Sequence, residues 1–390
     1  MKRILVIYEN ETTTQVMLCD FLKKYALITG NDIVVSKSIK VKANQINWCD
    51  YLITIRSMSP FDLYIVKKAK LAGKKCIAFW DDDLTENTKE LFILKKRRDS
   101  MKMELQYVDA ILSPNLYLLE KLNRIGTQAK TILLDTAVDE KIFQKYKNND
   151  SKIMRIVYAA GPSHKKDFTN DILEALRQLS QKFPKSFDLS FVGVHPDIGQ
   201  EVDFSIYYHP CMNYEDYHKH MLAENYDVGI APLEDNEFTK SKYYNKFIDY
   251  TINNIVGVYS NCLPYTLIVK DGVNGFLVNK GEVAWFEIFQ TLLLNKELRE
   301  KCLNNSQEQL RKQFSLQTIV KGFDKELLSI PDNTVGRTIR KNQLLVPKIK
   351  YLIFKYFYLP CVYIHNIGLK GMFERLNNYL ISISIIKGRK

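Results

Sequence analysis

The chain of 390 residues lacks the cysteine pattern of a disulfide-bonded or zinc-binding protein. Its seven cysteines are scattered, odd in number and never spaced as C-x-x-C, so the sequence predicts neither a disulfide framework nor a structural zinc site. Glycine and proline are also few, at 16 and 11, which excludes a collagen-like or low-complexity chain. These absences favour a globular protein of a reducing compartment.

Long apolar runs are missing near both ends of the chain. The first apolar segment, residues 4–8, is followed at once by Glu9 and Glu11, which makes it too short and too soon charged for a secretory signal. In the C-terminal part, Lys348, Lys355 and Lys370 interrupt the apolar stretches before they reach the roughly 20 residues of a spanning helix. The sequence predicts neither export nor a membrane-spanning segment.

The net charge of +12 is distributed unevenly. Residues 337–390 hold eleven Lys and Arg against one acid, and the rest of the chain is nearly neutral. This distribution argues against a nucleic-acid partner, which would need a basic binding face on the folded body. Aromatic residues lie between the tail's basic residues, a composition that suits an anionic bilayer surface. We expect a cytoplasmic protein with peripheral contact to the inner face of the plasma membrane, or else tail helices that pack back on the body.

Short apolar runs alternate with amphipathic segments, which predicts parallel sheets covered by helices on both faces. The polar segment 145–152 separates two such series, and Pro331 follows the second. We therefore expect Rossmann-like domains over 1–148 and 149–330, and a basic, aromatic helical extension over 331–390. Strands are predicted over 3–8, 32–35, 51–55, 75–79, 110–112, 131–134, 154–159, 188–194, 227–231, 255–259 and 276–278.

A candidate phosphate-binding loop follows the first strand of the second series. Gly161 closes that strand, and the loop carries His164 and Lys166 before Asp167, which we predict as the N-cap of the next helix. Free N–H groups at a helix N-terminus and an adjacent lysine suit a diphosphate. A plain surface loop is the alternative. His164 and His195 lack metal-ligand spacing, so we expect hydrogen-bonded loop histidines.

A second candidate element spans residues 240–250. Lys242, Lys246 and Asp249 follow i, i+4, i+7 spacing, so one helical face would carry all three. Phe247 and Ile248 would then face the core. A carboxylate beside lysines can hold ribose hydroxyls while the lysines meet phosphate, and the alternative is an ordinary solvated salt bridge.

Four ordered segments resemble the donor domain of family 4 glycosyltransferases, a large GT-B group that acts in bacterial polysaccharide synthesis. The N-terminal part resembles the family more loosely, through Ile55 and Arg56, the strand that ends before Asp81, and residues 134–143, which are similar to the family's interdomain crossover. The four donor-domain segments are 158–168 (YAAGPSHKKDF), 227–238 (DVGIAPLEDNEF), 241–250 (SKYYNKFIDY) and 263–278 (LPYTLIVKDGVNGFLV).

The resemblance implies a GT-B enzyme whose two Rossmann-like domains face a cleft. The second domain would bind a UDP- or GDP-linked sugar as co-substrate, without a further cofactor, and the first would bind a glycan or lipid-linked acceptor. Transfer would be retaining and metal-independent, with Lys166 on the donor diphosphate and Asp249 on the ribose. The other implied donor-side residues are Gly161, His164, Lys242, Lys246, Tyr250, Pro264 and Tyr265, and the acceptor-side residues are Arg56, Asp81 and Asp82.

The sequence departs from the family at several positions, and other classes stay open. Asp249 stands at a usual Glu, Asn254 at a usual Gly and Val256 at a common Pro. A non-catalytic GT-B subunit, which these departures favour, and a nucleotide-sugar epimerase are alternatives. The run from Asp81 to Asp83 could also be the metal-binding D-x-D of a GT-A enzyme, or a structural cap for a helix near residue 85.

Overall fold

The computed structural model describes residues 1–85, 94–125, 128–138, 153–199, 201–333, 336–362, 364–365 and 368–371. In these residues the chain forms two compact units, one containing Met1–Thr136 and the chain from Ile319 onward, the other extending to Thr318. Each unit holds a parallel sheet of six strands with helices, which confirms the predicted fold class. The predicted boundary at 148 lies outside the described residues, and the compact second unit ends at Thr318 rather than at residue 330.

The inner strands of the first unit are near-continuous apolar runs, as expected for a parallel sheet buried on both faces, whereas the two edge strands, residues 32–37 and 130–133, are mostly half-buried or exposed. The strands are β1 (Arg3–Tyr8), β2 (Asp32–Lys37), β3 (Tyr51–Ile55), β4 (Lys75–Phe79), β5 (Ala110–Ser113) and β6 (Lys130–Leu133). Their order is β2-β1-β3-β4-β5-β6. The helices between them are α1 (Thr13–Thr29), α2 (Ala43–Trp48), α3 (Pro60–Leu71), α4 (Lys95–Leu105) and α5 (Leu116–Asn123).

Local sequence signals explain where these helices begin. Thr12 and Ser59 each accept a hydrogen bond from a backbone N–H of the first turn of α1 and α3. Pro60 occupies the first position of α3, where its missing N–H costs nothing and its fixed φ suits the helix. Asn115 caps α5 in the same manner as Thr12. The strands of a parallel sheet end at one edge, so Arg56 after β3 and residues 80–82 after β4 share the carboxyl edge, where α/β proteins bind ligands.

The second unit repeats this construction with a sheet ordered β12-β11-β10-β7-β8-β9. Its strands are β7 (Met154–Ala159), β8 (Phe187–Val192), β9 (Ser205–His209), β10 (Val228–Ala231), β11 (Val256–Ser260) and β12 (Phe276–Val278). Its helices are α6 (Asn170–Lys182), α7 (Tyr214–Glu224), α8 (Glu237–Lys240), α9 (Asn245–Ile252), α10 (Glu282–Leu294) and α11 (Lys296–Gln313).

Two features of the second unit differ from the sequence prediction. Strand β9, with the sequence SIYYH, is not predicted because its side chains are exposed or half-buried at the sheet edge, where an apolar run is not needed. The helical pattern predicted over 285–314 divides into α10 and α11. Asn295 causes this break, since its side chain accepts a hydrogen bond from Leu298 N and caps α11.

The described C-terminal chain packs on the first unit. It forms α12 (Leu316–Leu328) and α13 (Asn342–Ile353), followed by a π-helical turn at Phe354–Tyr358. Leu344, Tyr351 and Phe354 are buried in the first unit's core, so tail packing is observed here, while residues 372–390 of the predicted extension lie outside the described residues. No helix in the described ranges is long and apolar enough to cross a membrane.

Candidate functional site

The loop after β7 is a short 3₁₀ helix rather than a direct entry into α6. It spans Pro162–Asp167, and α6 begins at Asn170 after Thr169. The prediction that Asp167 caps the next helix is therefore wrong. The Asp167 carboxylate instead lies 2.6 Å from Nδ1 of His164, one turn earlier, and the proline at the start of the 3₁₀ helix favours helical backbone already there.

His164 is held in one orientation by three groups. The Tyr158 hydroxyl donates to the His164 carbonyl at 2.8 Å, and Lys242 Nζ lies 3.4 Å from His164 Nε2. An ammonium group can only donate, so Nε2 accepts, and Nδ1 carries the proton that it donates to Asp167. This chain of contacts links the 3₁₀ helix to the segment before α9, and it confirms a hydrogen-bonded histidine.

The same loop presents positive charge to solvent. Lys165 and Lys166 are exposed, and neither forms an ion pair with another residue in the described ranges. A Cβ built on Gly161, just before the 3₁₀ helix, would meet nothing within 4 Å, so the backbone there can be approached closely. Exposed ammonium groups beside an open backbone are suited to an anionic ligand.

Asp249 on α9 is fixed by side chains from three directions. Tyr217 on α7 donates its hydroxyl to Oδ2 at 2.7 Å, and Lys246 Nζ lies 3.0 Å from the same oxygen. Asn253, one turn later, donates to the Asp249 carbonyl at 2.7 Å and to Oδ1 at 3.3 Å. The carboxylate is thus mostly buried and preoriented, with acceptor capacity left for ligand hydroxyls.

The predicted single helix over residues 240–250 is wrong at its beginning. Helix α8 ends at Lys240 and α9 begins at Asn245, so Lys242 lies between them and does not share a helical face with Asp249. The buried side of α9 agrees with the prediction, since Phe247 and Ile248 are buried. Lys242 reaches His164 instead, which brings together the two candidate elements of the sequence.

Tyr250 is a core residue that supports its neighbour Asp249. Its side chain is fully buried, and its hydroxyl donates to the Ile230 carbonyl at 2.7 Å. Gly229 in β10 makes room for the ring, because a Cβ there would lie only 2.7 Å from ring carbons. This packing sets the position of α9 on the sheet and leaves Tyr250 no exposed surface for a ligand.

Pro264 and Tyr265 lie in the loop after β11. The peptide bond before Pro264 is cis, and Tyr265 is buried against Tyr259, with ring centroids 4.7 Å apart. Burial raises the pKa of Tyr265, and Cys262 and Asp167 raise it further.

Asn254 explains one departure from the family pattern. Its φ of 62° lies in the left-handed region, which glycine adopts freely and asparagine more readily than other residues. Its side-chain oxygen also accepts a hydrogen bond from Gln307 at 2.7 Å. The substitution therefore keeps the backbone conformation after α9, and it removes one argument for a damaged site.

The acceptor-side residues of the first unit form an ion-paired cluster of one cation and two carboxylates. Arg56, which has a left-handed φ of 45°, pairs its Nε with Asp81 and a terminal nitrogen with Asp82, the latter at 2.5 Å. The Thr14 hydroxyl donates to Asp81 at 2.7 Å. Burial acts to lower the pKa of Arg56, but the two carboxylates outweigh it and raise that pKa.

Asp83 is directed to different partners. Its Oδ1 accepts from the backbone N–H and hydroxyl of Thr85, at 3.0 and 2.6 Å, and its Oδ2 pairs with Lys121 at 2.5 Å. The helix that Asp83 is predicted to cap would lie beyond residue 85, outside the described residues, so the capping role stays a prediction. In the described ranges, no group of three or more His, Cys, Asp or Glu could hold a metal ion.

Sequence analysis did not identify the side chains that position Asp249. Asn253 stands one helical turn after Asp249, and this spacing could have identified it. Tyr217 lies 32 residues before Asp249 on a different helix, and nothing local in the sequence connects the two. The predicted crossover over 134–143 is described only to Val138, whose backbone pairs with Phe314.

No protein-family model and no curated protein sequence matches the chain, but solved structures do. Anabaena HepE in complex with UDP and glucose matches with a TM-score of 0.62 at 14% identity, over 84% of this chain and 100% of that one. A glycosyltransferase from Rickettsia africae matches with a TM-score of 0.61 at 14% identity, over 85% of this chain and 99% of that one. Sucrose-phosphate synthase from Thermosynechococcus elongatus matches with a TM-score of 0.55 at 11% identity, over 84% of this chain and 98% of that one. The chain has the GT-B glycosyltransferase fold.

Proposed function

We propose that this chain is a glycosyltransferase that moves a sugar from a nucleotide-sugar donor to a glycan or lipid-linked acceptor in bacterial surface polysaccharide or glycoconjugate synthesis. One observation carries the proposal. The second unit combines exposed lysines beside Gly161 with a preoriented carboxylate at Asp249, and Lys242 links the two elements through His164. These groups match the charged and hydroxylated parts of a nucleotide diphosphate.

The donor would be held through its diphosphate and its ribose. Lys166 would neutralise the diphosphate, whose charge grows as the bond to the sugar breaks. Asp249 would accept hydrogen bonds from the ribose hydroxyls, with Tyr217 fixing the carboxylate. The nucleotide is UDP or GDP, and the UDP and UDP-glucose bound in structures of Anabaena HepE make UDP-sugars the first to test.

Transfer would be retaining, with the leaving diphosphate accepting the proton of the acceptor hydroxyl. Such a reaction needs charge stabilisation rather than a dedicated protein base. The acceptor would contact the first unit near Arg56, Asp81 and Asp82, which already form ion pairs with one another. A cluster that offers both guanidinium donors and carboxylate acceptors suits a hydroxyl-rich glycan, whose hydroxyl groups both donate and accept hydrogen bonds.

The reaction would be independent of a divalent metal, and no other cofactor would be required. Support comes from the alternative source of positive charge at Lys166 and from the protein partners of the Asp81 and Asp83 carboxylates. Activity measured with and without EDTA tests this. We expect unchanged rates, whereas a loss that Mn²⁺ or Mg²⁺ restores would favour the D-x-D alternative.

Transfer by the purified chain is the direct test of function. UDP- and GDP-sugars would be incubated with the chain and with membrane extracts that contain glycan acceptors, and labelled product would be measured. Labelled glycan that forms only in the presence of the chain would support the proposal. Donor binding without turnover would indicate a non-catalytic subunit, and conversion of the donor without an acceptor would indicate an epimerase.

A further inference from the structure

Helix α13 carries large apolar side chains on two opposite sides. Leu344 and Tyr351 are buried in the first unit. On the opposite side, an exposed stripe follows helical spacing, with Ile349 48%, Ile353 56% and Phe357 71% exposed. A surface helix normally has one apolar side and one polar side, and apolar residues on both sides indicate a second apolar environment. We define the exposed stripe of α13 as Leu345, Val346, Ile349 and Ile353, together with Tyr356 and Phe357 of the π-helical turn that continues it.

The buried side of α13 is held firmly. The Tyr351 hydroxyl donates to Glu9 Oε1 at 2.7 Å, and its ring stacks on Phe61 with centroids 5.6 Å apart. Arg97 completes the arrangement by binding both oxygens of Glu9, at 3.0 and 2.6 Å. The stripe is therefore presented by an anchored helix rather than by a loose tail.

A proline inside α13 strengthens this anchoring. Pro347 has no N–H, so the Gln343 carbonyl one turn earlier loses its usual helical partner. The hydroxyl of Tyr64 on α3 donates to that carbonyl at 2.8 Å. The carbonyl that lacks a helical partner is thus hydrogen-bonded to α3 of the first unit, and this bond fixes which side of α13 faces outward.

Positive charge surrounds the stripe. Residues 337–371 contain seven Lys and Arg and no Asp or Glu. By helical spacing, Lys348 and Lys350 flank the two edges of the stripe, and Lys341 lies one turn before it. Lysines at the edges of an apolar stripe can extend their charged ends away from it while their stems cover it. This is the arrangement of helices that lie in the interface of an anionic membrane.

We infer that the exposed stripe of α13 is a docking surface for an anionic bilayer, on which the helix lies parallel to the membrane plane. A second copy of the chain is a poorer occupant, because pairing two stripes would bring together two sets of lysines that have no ion pair with a described residue. An acidic phospholipid surface offers both an apolar interior for the stripe and a counter-charge for the lysines. The inference rests on α13 alone and does not depend on the proposed donor site.

Vesicle sedimentation of the full chain tests this surface. We expect the wild-type protein to sediment with vesicles of phosphatidylcholine and phosphatidylglycerol at low salt, and to remain in solution with phosphatidylcholine alone. Ile349→Glu combined with Ile353→Glu should reduce binding more than about tenfold. Lys348→Gln or Lys350→Gln should each reduce it about fivefold, and high salt should weaken it in the same direction.

Matched controls separate the stripe from general surface hydrophobicity. Leu27 on α1 and Leu71 on α3 are also exposed apolar residues of the first unit, and Leu27→Glu with Leu71→Glu should bind vesicles like wild type. Thermal melts would establish that each variant is folded. The inference would be overturned if the Ile349/Ile353 variant bound vesicles as strongly as wild type. It would also be overturned if the wild-type protein bound neutral vesicles as strongly as anionic ones. A salt-resistant dimer that the same substitutions abolish, in the absence of vesicle binding, would overturn it as well.

Discussion

The two units place charged side chains beside their sheets in different ways. In the first unit, Arg56 is paired with Asp81 and Asp82, so its positive charge is already held by two carboxylates of the protein. In the second unit, Lys165 and Lys166 extend into solvent without an ion pair to a described residue. The first cluster holds one cation and two carboxylates, a formal charge of −1, and the second has positive charge that no described residue pairs.

This difference indicates which of the two units is suited to bind an anion. A paired cation is already stabilised, and an incoming phosphate would have to compete with its carboxylates. An exposed ammonium group has no such competitor and can serve a diphosphate directly. The shared Rossmann-like architecture therefore does not decide ligand type, and the local pairing of charges does.

Removing Lys166 should give the largest effect. Lys166→Ala should lower kcat about 10²- to 10³-fold, because it removes a charge that stabilises the leaving diphosphate most strongly in the transition state. Steady-state kinetics with the true donor measure this. Lys301→Ala, an exposed lysine of α11 in the same unit, is the matched control and should keep wild-type kcat. Equal kinetics for the two variants would remove Lys166 from the mechanism.

Substituting Asp249 should have the second largest effect, on donor binding rather than on kcat. Asp249→Ala removes a carboxylate that would hold ribose in both ground and transition states, so Kd should rise about 10- to 100-fold. Asp249→Glu introduces the residue that family 4 glycosyltransferases usually carry at this position. It should bind the donor at least as tightly as the wild-type chain. Calorimetric titration of donor decides the matter, and wild-type affinity for Asp249→Ala would contradict the ribose assignment.

Breaking the first unit's cluster should affect stability. Arg56→Ala leaves the Asp81 and Asp82 carboxylates without their cation, and the free energy of unfolding should fall by about 2 kcal/mol. Urea unfolding measures this change. Donor affinity should stay at the wild-type value, since the cluster belongs to the other unit. A variant with unchanged stability and lost donor binding would reverse the proposed roles of the two clusters.

Removing the support of Asp249 should have the smallest effect. Tyr217→Phe deletes the hydroxyl that donates to Asp249 Oδ2 and keeps the ring against which Lys246 lies. Loss of one hydrogen bond to a carboxylate is worth about 1 kcal/mol, so donor Kd should rise about fivefold with kcat unchanged. Binding equal to wild type would show that Lys246 and Asn253 suffice to orient the carboxylate.

Sequence patterns predicted the sheets well because buried parallel strands must be apolar. The exception, β9, is an edge strand whose exposed tyrosines carry no such constraint. Helix starts near the site were harder to predict. Asp167 is a good capping residue by type, yet its carboxylate is used by His164, and only the folded backbone shows this competition.

The site was predicted as separate elements, and their connections came from the fold. The Lys242 to His164 contact joins residues 78 positions apart, and Tyr217 reaches Asp249 from another helix. Neither pairing has a local signature. In the tail, composition indicated an amphipathic surface, but the choice of Tyr351 as the buried residue depends on Glu9, which comes from the other end of the chain.

The most direct test of the central claim is donor binding to the purified chain in a screen of UDP- and GDP-sugars by thermal unfolding and calorimetry. The true donor at 100 times its Kd should add about 2.7 kcal/mol of stability. Lys166→Ala and Asp249→Ala should each lose most of this gain, whereas Lys301→Ala should retain it. If no nucleotide sugar stabilises the wild-type chain, or if both site variants are stabilised as strongly as wild type, the second unit does not hold the donor as proposed.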